Sequence, residues 1–259
     1  MNKNSNSYQI LYAAIMVIVV GAVLALVATS LKPRQQDNIA NDTRKQILSA
    51  IHQSAPSDDQ VEATFNKFIV CDYLVDTTGA KVDTTRNCAF DVNMKTNIKE
   101  EHPKLPVFEA NVDGATKYII PMYGAGLWGP IWGYVAVNDD GKTIYGAYFS
   151  HASETPGLGA EIESENFQKR FNDKTLRYQD GQVATPSVEK KGTGDDQIDA
   201  VTGATITSKG VDAMFKKCLA PYAAFFASKG NGQQACDKHD CEKPDCDKPA
   251  CCQQGECKK

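Results

Sequence analysis

The chain has 259 residues, 42% of them hydrophobic, with 28 basic and 32 acidic side chains and a formal net charge of −4. That length allows one sizeable domain or two small ones, with ordinary material for a core. With no basic excess, nucleic acid is set aside as a partner. No Gly-x-Gly-x-x-Gly opens a helix after a strand, so a nicotinamide site of that kind is set aside too.

Residues 1–7 read as a short arm ahead of the first apolar run. From Tyr8 to Leu31 (YQILYAAIMVIVVGAVLALVATSL) there is no charged side chain. At about 1.5 Å rise per residue this run spans roughly 36 Å, enough to cross a hydrocarbon core of about 30 Å. A buried core helix would show a polar face, and this one shows almost none. The run predicts a single transmembrane helix. A cleaved signal is the rival reading, because Ala28-Thr29-Ser30 resembles a small-residue cleavage site; the apolar core of such a signal is usually only about 7–15 residues long. Lys3 precedes the span, and Lys32, Arg34, Arg44 and Lys45 follow it. Taken alone, that bias keeps the following domain in the cytoplasm.

A polar linker is expected over 32–42, with Pro33. The soluble domain is expected over 43–230. Ile47, Leu48 and Ile51 recur at helical spacing through Thr43 to His52. Ser57-Asp58-Asp59-Gln60 reads as a capping box opening a second helix, with Val61, Phe65 and Phe68 inward. Residues 70–104 mix polar and charged types and read as a small strand-and-loop region. The strand signals are strongest over 117–150, where Tyr118-Ile119-Ile120, Gly133 to Val137 and Thr143 to Phe149 are rich in aromatic and β-branched residues. Asn138-Asp139-Asp140-Gly141 joins the last two as a hairpin loop. Gly124 to Gly133 sets several glycines beside Trp128 and Trp132, which suggests close backbone approach. A helix is expected over Glu161 to Asn172, with Ile162, Phe167 and Phe171 inward. Another is expected from Ser208 to Ala227, with Val211, Met214, Phe215, Cys218 and Tyr222 on one face, Ser208 as its cap and Pro221 as a kink or break. Strands and helices do not alternate as a doubly wound fold requires. The fold class is therefore α+β: one N-terminal transmembrane helix, then one soluble domain with a mainly antiparallel sheet packed by helices.

The stretch Asp199-Ala200-Val201-Thr202-Gly203-Ala204-Thr205 places a hydroxyl at the end of a small turn, just before a helix. Gly203 and Ala204 leave the backbone and the Thr205 hydroxyl accessible. The first N–H groups of the helix would face a phosphate there, and the helix dipole adds a modest favourable contribution. Lys209 would neutralise part of its charge, and Thr202 and Thr207 supply hydroxyl donors. A Thr-rich helix entry with capping hydroxyls accounts for the same residues without any cofactor. The stretch resembles the flavinylation motif Asp-x-x-(Ser/Thr)-Gly-Ala-Thr of the FMN-binding domain family. That resemblance implies FMN held on Thr205 by a phosphoester bond. Asp113-Gly114-Ala115-Thr116 repeats Gly-Ala-Thr but has Asp in place of the Ser or Thr, and reads as a β-turn.

Two further segments carry the same resemblance. His151 to Glu161 contains the family's Glu-Thr-Pro-Gly-Leu-Gly at Glu154–Gly159. By resemblance Glu154 and Thr155 hydrogen-bond the flavin ring edge and Leu158 packs on its face; a rigid Pro-Gly turn with a solvated Glu154 remains the alternative. Gly-x-Gly-Leu-Trp at 124–128 is similar to the family's flavin-side loop, where Leu127 or Trp128 walls the ring, while Trp132 reads as core. The resemblance covers residues 8–228. It implies an electron-transfer subunit with covalent FMN in a membrane NADH:quinone reductase that couples electron flow to Na+ export. Its other branch implies an Rnf-type ferredoxin:NAD complex. The partners implied are the other subunits of a membrane redox complex and a flavin transferase. The location implied is the bacterial inner membrane with the soluble domain periplasmic, against the local charge bias. No catalytic base is needed for electron transfer, and His52, His102, His151 and His239 are scattered; no metal site is assigned. A membrane-anchored binding domain without redox function is the reading from a different class.

Nine cysteines fall into two sets. Cys71 and Cys88 are candidates for a disulfide or for buried thiols, beside Cys218. Cys236, Cys241, Cys246, Cys251, Cys252 and Cys257 lie in a tail over 231–259 that lacks large aliphatic residues, so its composition predicts disorder. Metal binding with His239, and disulfides, remain open for the tail, whose five-residue spacing matches no familiar zinc or iron–sulfur pattern.

Overall fold

Forty-five residues at the start of the chain form one helix, α1 (Asn6–Ala50). The computed structural model describes residues 6–179, 182–192, 194 and 196–230. The cysteine-rich tail and His239 lie outside the described residues. Sequence reading ends the apolar helix at Leu31 and makes 32–42 a linker; the helix instead continues through Pro33. Pro33 removes one N–H from the ladder and leaves the carbonyl of Thr29 to another donor. The residues beyond it include Arg34, Gln35 and Gln36, which favour helix. The far end is also fixed, because Ile47, Leu48, Ala50 and Ile51 are wholly buried. Among the described residues α1 alone is long and apolar enough to cross a membrane, and its apolar stretch is 0% buried.

The end of α1 is a Schellman motif. Gln53 N donates to Leu48 O and His52 N to Ser49 O, both at 3.0 Å, with His52 at φ 57°. That left-handed position usually takes Gly. His52 is held there through its ring, which lies 5.2 Å from that of Tyr145 and whose Nε2 is 3.1 Å from the Tyr145 carbonyl. Trp132 Nε1 donates to Gln46 Oε1 at 3.1 Å. These contacts join the C-terminal end of α1 to the sheet.

A 3-10 turn (Asp58–Gln60) leads into α2 (Val61–Phe68). The expected capping box does not form: the Ser57 side chain makes no cap, and only its carbonyl accepts, from Gln60 N at 3.1 Å. Next come β1 (Ile69–Val75), β2 (Lys81–Asp83), α3 (Met94–Asn97), β3 (Leu105–Val112), β4 (Ala115–Ala125), β5 (Pro130–Asn138) and β6 (Ile144–His151). They form a six-stranded sheet in the order β2-β1-β3-β4-β5-β6, antiparallel throughout.

Side chains alternate between the two faces of the sheet. Val107, Ile120 and Val135 point to one core, and Phe108, Ile119 and Ala136 to the other. The second core is closed by the end of α1 and by Phe65 of α2. The first is closed by the C-terminal helices, α5 (Thr205–Leu219) and α6 (Ala223–Gly230), which flank a 3-10 turn containing Pro221. Between sheet and α5 lie α4 (Glu165–Gln168) and the short strands β7 (Arg177–Gln179), β8 (Gln182–Ala184), β9 (Ser187–Glu189) and β10 (Gln197–Asp199). The helix expected over 161–172 is broken into 3-10, α and 3-10 pieces. Ser164 breaks it, with extended backbone (ψ 139°) and a hydroxyl that caps Phe167 N at 3.3 Å. Ile162, Phe167 and Phe171 are nevertheless buried. Phe149 meets Phe167, Phe171 and Phe215 with ring centroids 4.8–5.9 Å apart, so β6, the broken helix and α5 share one aromatic core. Cys71, Cys88 and Cys218 are present as thiols.

Candidate functional site

The segment 199–205 leaves β10 and enters α5 through a tight turn. Ala204 N donates to Val201 O at 3.1 Å, and Gly203, third in that turn, has φ 81°. That is type II geometry, in which the third position requires Gly or Asn. Arg170 Nη1 donates to Asp199 O at 2.7 Å and holds the approach to the turn. Ala204 is the N-cap and Thr205 the first helical residue, so α5 begins three residues before the Ser208 expected from sequence. Ser208 is no cap: it is buried in the first turn, and its Oγ accepts from Val201 N at 3.1 Å. Lys209 consequently begins the second turn rather than sitting in the first. It lies four residues after Thr205 and so shares its face. Thr202, Thr205 and Lys209 are exposed.

Two loops meet this helix start. The first links β4 to β5 and is pinched by Gly126 N donating to Gly129 O at 2.8 Å. Leu127 and Trp128 form its tip, 47% and 68% exposed. The second leaves β6. Leu158 N and Ala160 N both donate to Thr155 O at 3.1 Å, around Pro156 and Gly157 at φ 74°. Thr155 is exposed there. Leu158 is 43% exposed, and a Cβ on Gly203 would lie 2.8 Å from its Cδ2. Ile206, also unshielded, adds a fourth apolar side chain at 57%.

Glu154 fastens the three segments together. Its carboxylate accepts from Trp128 N at 2.9 Å through Oε1 and from Thr207 Oγ1 at 2.7 Å through Oε2. It is only 4% exposed. Burial pushes its pKa up, but the N–H of Trp128, the Thr207 hydroxyl and the N–H groups of Leu127 and Gly129 outweigh that, and the carboxyl lies below its ordinary value. Neither the ring-edge role nor the solvated role expected for Glu154 matches this placement: both oxygens are taken by protein donors. Thr207, expected to face a phosphate, is 1% exposed and commits its hydroxyl to Glu154. Thr202 also lines a cleft of about 290 Å³ with Gly157, Arg170 and Val201.

Sequence reasoning missed Arg170, Ile206 and the inward role of Ser208. Ile206 carried a signal, as the lone large apolar residue in a Thr- and Ser-rich entry; Arg170 carried none. Among the described residues, no group of three or more His, Cys, Asp or Glu side chains is placed to hold a metal ion.

The family model of the FMN-binding domain matches residues 126–220, which span both loops and the helix start. The matched segment is thus of the FMN-binding class, and it follows an N-terminal helix. A crystal structure of the C subunit of the Na+-translocating NADH-quinone reductase from Parabacteroides distasonis superimposes with a TM-score of 0.69 at 42% identity, covering 76% of this chain and 96% of that one. NqrC of Shewanella oneidensis superimposes with a TM-score of 0.61 at 25% identity, covering 74% and 98%. The C subunit of the Haemophilus ducreyi reductase is 31% identical over 251 residues, 87% of this chain and 96% of that protein. The chain belongs to the family formed by the C subunits of the Na+-translocating NADH-quinone reductases.

Proposed function

We propose that this chain is the electron-transfer subunit of a Na+-translocating NADH:quinone oxidoreductase and carries FMN as a phosphoester on the hydroxyl of Thr205. The carrying observation is the position of Thr205: exposed, first in a fifteen-residue helix, directly after a glycine turn. The residues present fit a phosphate and a planar ring. The opening N–H groups of α5 have no intrahelical acceptor and point toward added negative charge. Lys209 lies on the same face, and Thr202 offers an exposed hydroxyl. Leu127, Trp128, Leu158 and Ile206 leave apolar surface open beside the turn, of the kind an isoalloxazine would cover. Thr155, exposed on the adjoining turn, supplies polar groups at its margin.

FMN, when bound, supplies one- and two-electron chemistry. The chain's own part is to hold the group, shield one face of it and fix its height above the membrane through α1. No general base is required for that part. The remaining steps belong to other subunits of the complex, with a flavin transferase installing the phosphoester. We place the soluble domain on the periplasmic side of a bacterial inner membrane. The cations after the span oppose that placement, but long domains cross largely regardless of local charge.

The test is mass spectrometry of the full chain expressed in membranes with a flavin transferase. The peptide holding Thr205 should carry the FMN phosphoryl mass, and Thr205→Ala should remove it. A bare Thr205 peptide from a host that flavinylates a control protein overturns the reading.

A further inference from the structure

Glu154 is a buried carboxylate whose partners are all uncharged. Among the described residues no cationic side chain lies within ion-pair distance of it. Burying a charge without a counter-ion is costly, and it persists only where several donors converge on it. Here the chain is built around the charge. A Cβ on Gly126 would lie 2.4 Å from Oε1, and one on Gly159 would lie 2.3 Å from Oε2 and 2.8 Å from Thr207 Oγ1. Glycine at both positions leaves the carboxylate its space. Gly210 does the same for the helix: a Cβ there would meet Ala125 O at 2.4 Å, so α5 lies directly against the start of the loop. Glu154's own N–H donates to His151 Nδ1 at 3.1 Å, which fixes where its side chain starts.

The two ends of this clamp differ in what they carry. One is the backbone of Leu127–Gly129, where the Leu127 and Trp128 side chains are exposed. The other is Thr207, two residues after Thr205. From this geometry we infer that Glu154 is a positioning residue: its carboxylate locks the Leu127–Trp128 loop to the first turn of α5 and sets one fixed negative charge beside the flavin. The inference rests on the proposed flavin site for its second half only; the clamp itself needs no ligand. Oriented N–H groups and the positive end of α5 hold the charge in place. A negative charge in a poorly solvated setting disfavours adding an electron nearby, so its removal should make the flavin easier to reduce.

Two variants test this in the full chain expressed with its transferase: Glu154→Gln, which keeps shape and loses charge, and Thr207→Val, which keeps the charge and cuts one end of the clamp. Amide hydrogen exchange over 124–133 and 205–210 reads the clamp without flavin. Both variants should speed exchange in both segments, by about tenfold, the equivalent of one buried hydrogen bond. Spectroelectrochemistry reads the charge: the midpoint potential should shift positive in Glu154→Gln and stay near wild type in Thr207→Val. Unchanged exchange in either segment in both variants overturns the clamp, and an unshifted potential in Glu154→Gln overturns the charge. If wild type carries no flavin while exchange still responds in both segments, the proposed function fails and the clamp stands. Should Glu154→Gln not fold, Thr207→Val alone decides the clamp, because slow exchange at Trp128 after cutting Thr207 contradicts it.

Discussion

Gly-Ala-Thr occurs twice in this chain, at 114–116 and at 203–205, and the two copies have opposite fates. In the first, Asp113 and Gly114 take φ 53° and 82° and close the β3–β4 hairpin, where two consecutive left-handed residues match the twist of the strands. Gly114 N donates to Asn111 Oδ1 at 3.0 Å, and Thr116 is paired with Asn111 in the sheet. In the second, only Gly203 is left-handed; the chain then turns into a helix, and Thr205 stands at its head. Both glycines serve a turn. The copies part company in the element that each one enters: a ladder that uses up the backbone donors, or a helix start that leaves them open. A tripeptide becomes a candidate site through its successor element.

The largest effect expected from this contrast is all-or-none. Thr205→Ala should abolish flavin attachment, whereas Thr116→Ala should leave it at wild-type level; Thr205→Ser should keep a fraction, because a hydroxyl remains. In-gel flavin fluorescence with peptide mass measurement checks all three, and label on the peptide holding Thr116 would erase the distinction. A smaller effect concerns the glycines. Gly203→Val and Gly114→Val each put a β-branched residue at positive φ, at about 1–2 kcal/mol of stability apiece, readable in urea melts. Only Gly203→Val also crowds the site, since a Cβ there already lies 2.8 Å from Leu158 Cδ2. Flavin loading should therefore fall in Gly203→Val and hold in Gly114→Val. Equal loading would mean that the turn before Thr205 is not read by the transferase.

The same contrast explains what the sequence disclosed. The hairpin of β5 and β6 was legible because aromatic and β-branched residues crowd it and Asn138–Gly141 breaks it. The inward face of α5 was legible from Val211, Met214, Phe215 and Cys218. The site loops were legible because three motifs stand in order. β3 was hidden: Pro106, Glu109 and Asn111 interrupt its apolar residues, and both of its faces are buried, so no alternation shows. The length of α1 was hidden because Pro33 follows the apolar run; the helix-favouring residues after it and the burial of Ile47, Leu48 and Ile51 on the sheet together explain the helix persisting. The role of Glu154 was hidden for a different reason. Its partners lie 26 and 53 residues away along the chain. Whether a carboxylate points inward depends on donors that only the fold brings together.

Acid offers the finest separation of the two copies. The turn at 113–114 is held by Asn111, which does not titrate, while the entry to α5 is tied to Glu154, which does. The folded pKa of Glu154 lies below its ordinary value of 4.5. Its stabilisation is therefore complete above that value and is lost as the pH falls through the lowered folded value, where the carboxyl takes up a proton. One of the oxygens then turns from acceptor to donor, against a ring of N–H groups. After correction for intrinsic rates, exchange over 205–210 and 124–133 should speed up as the pH drops from neutral into that range, by less than the roughly tenfold change expected for removing the charge outright. Exchange over 111–116 should not follow. In Glu154→Gln the acid response of the site should vanish, since the charge it titrates is already gone; a response that persists in that variant would assign the loosening to other carboxylates and leave the two turns alike in acid.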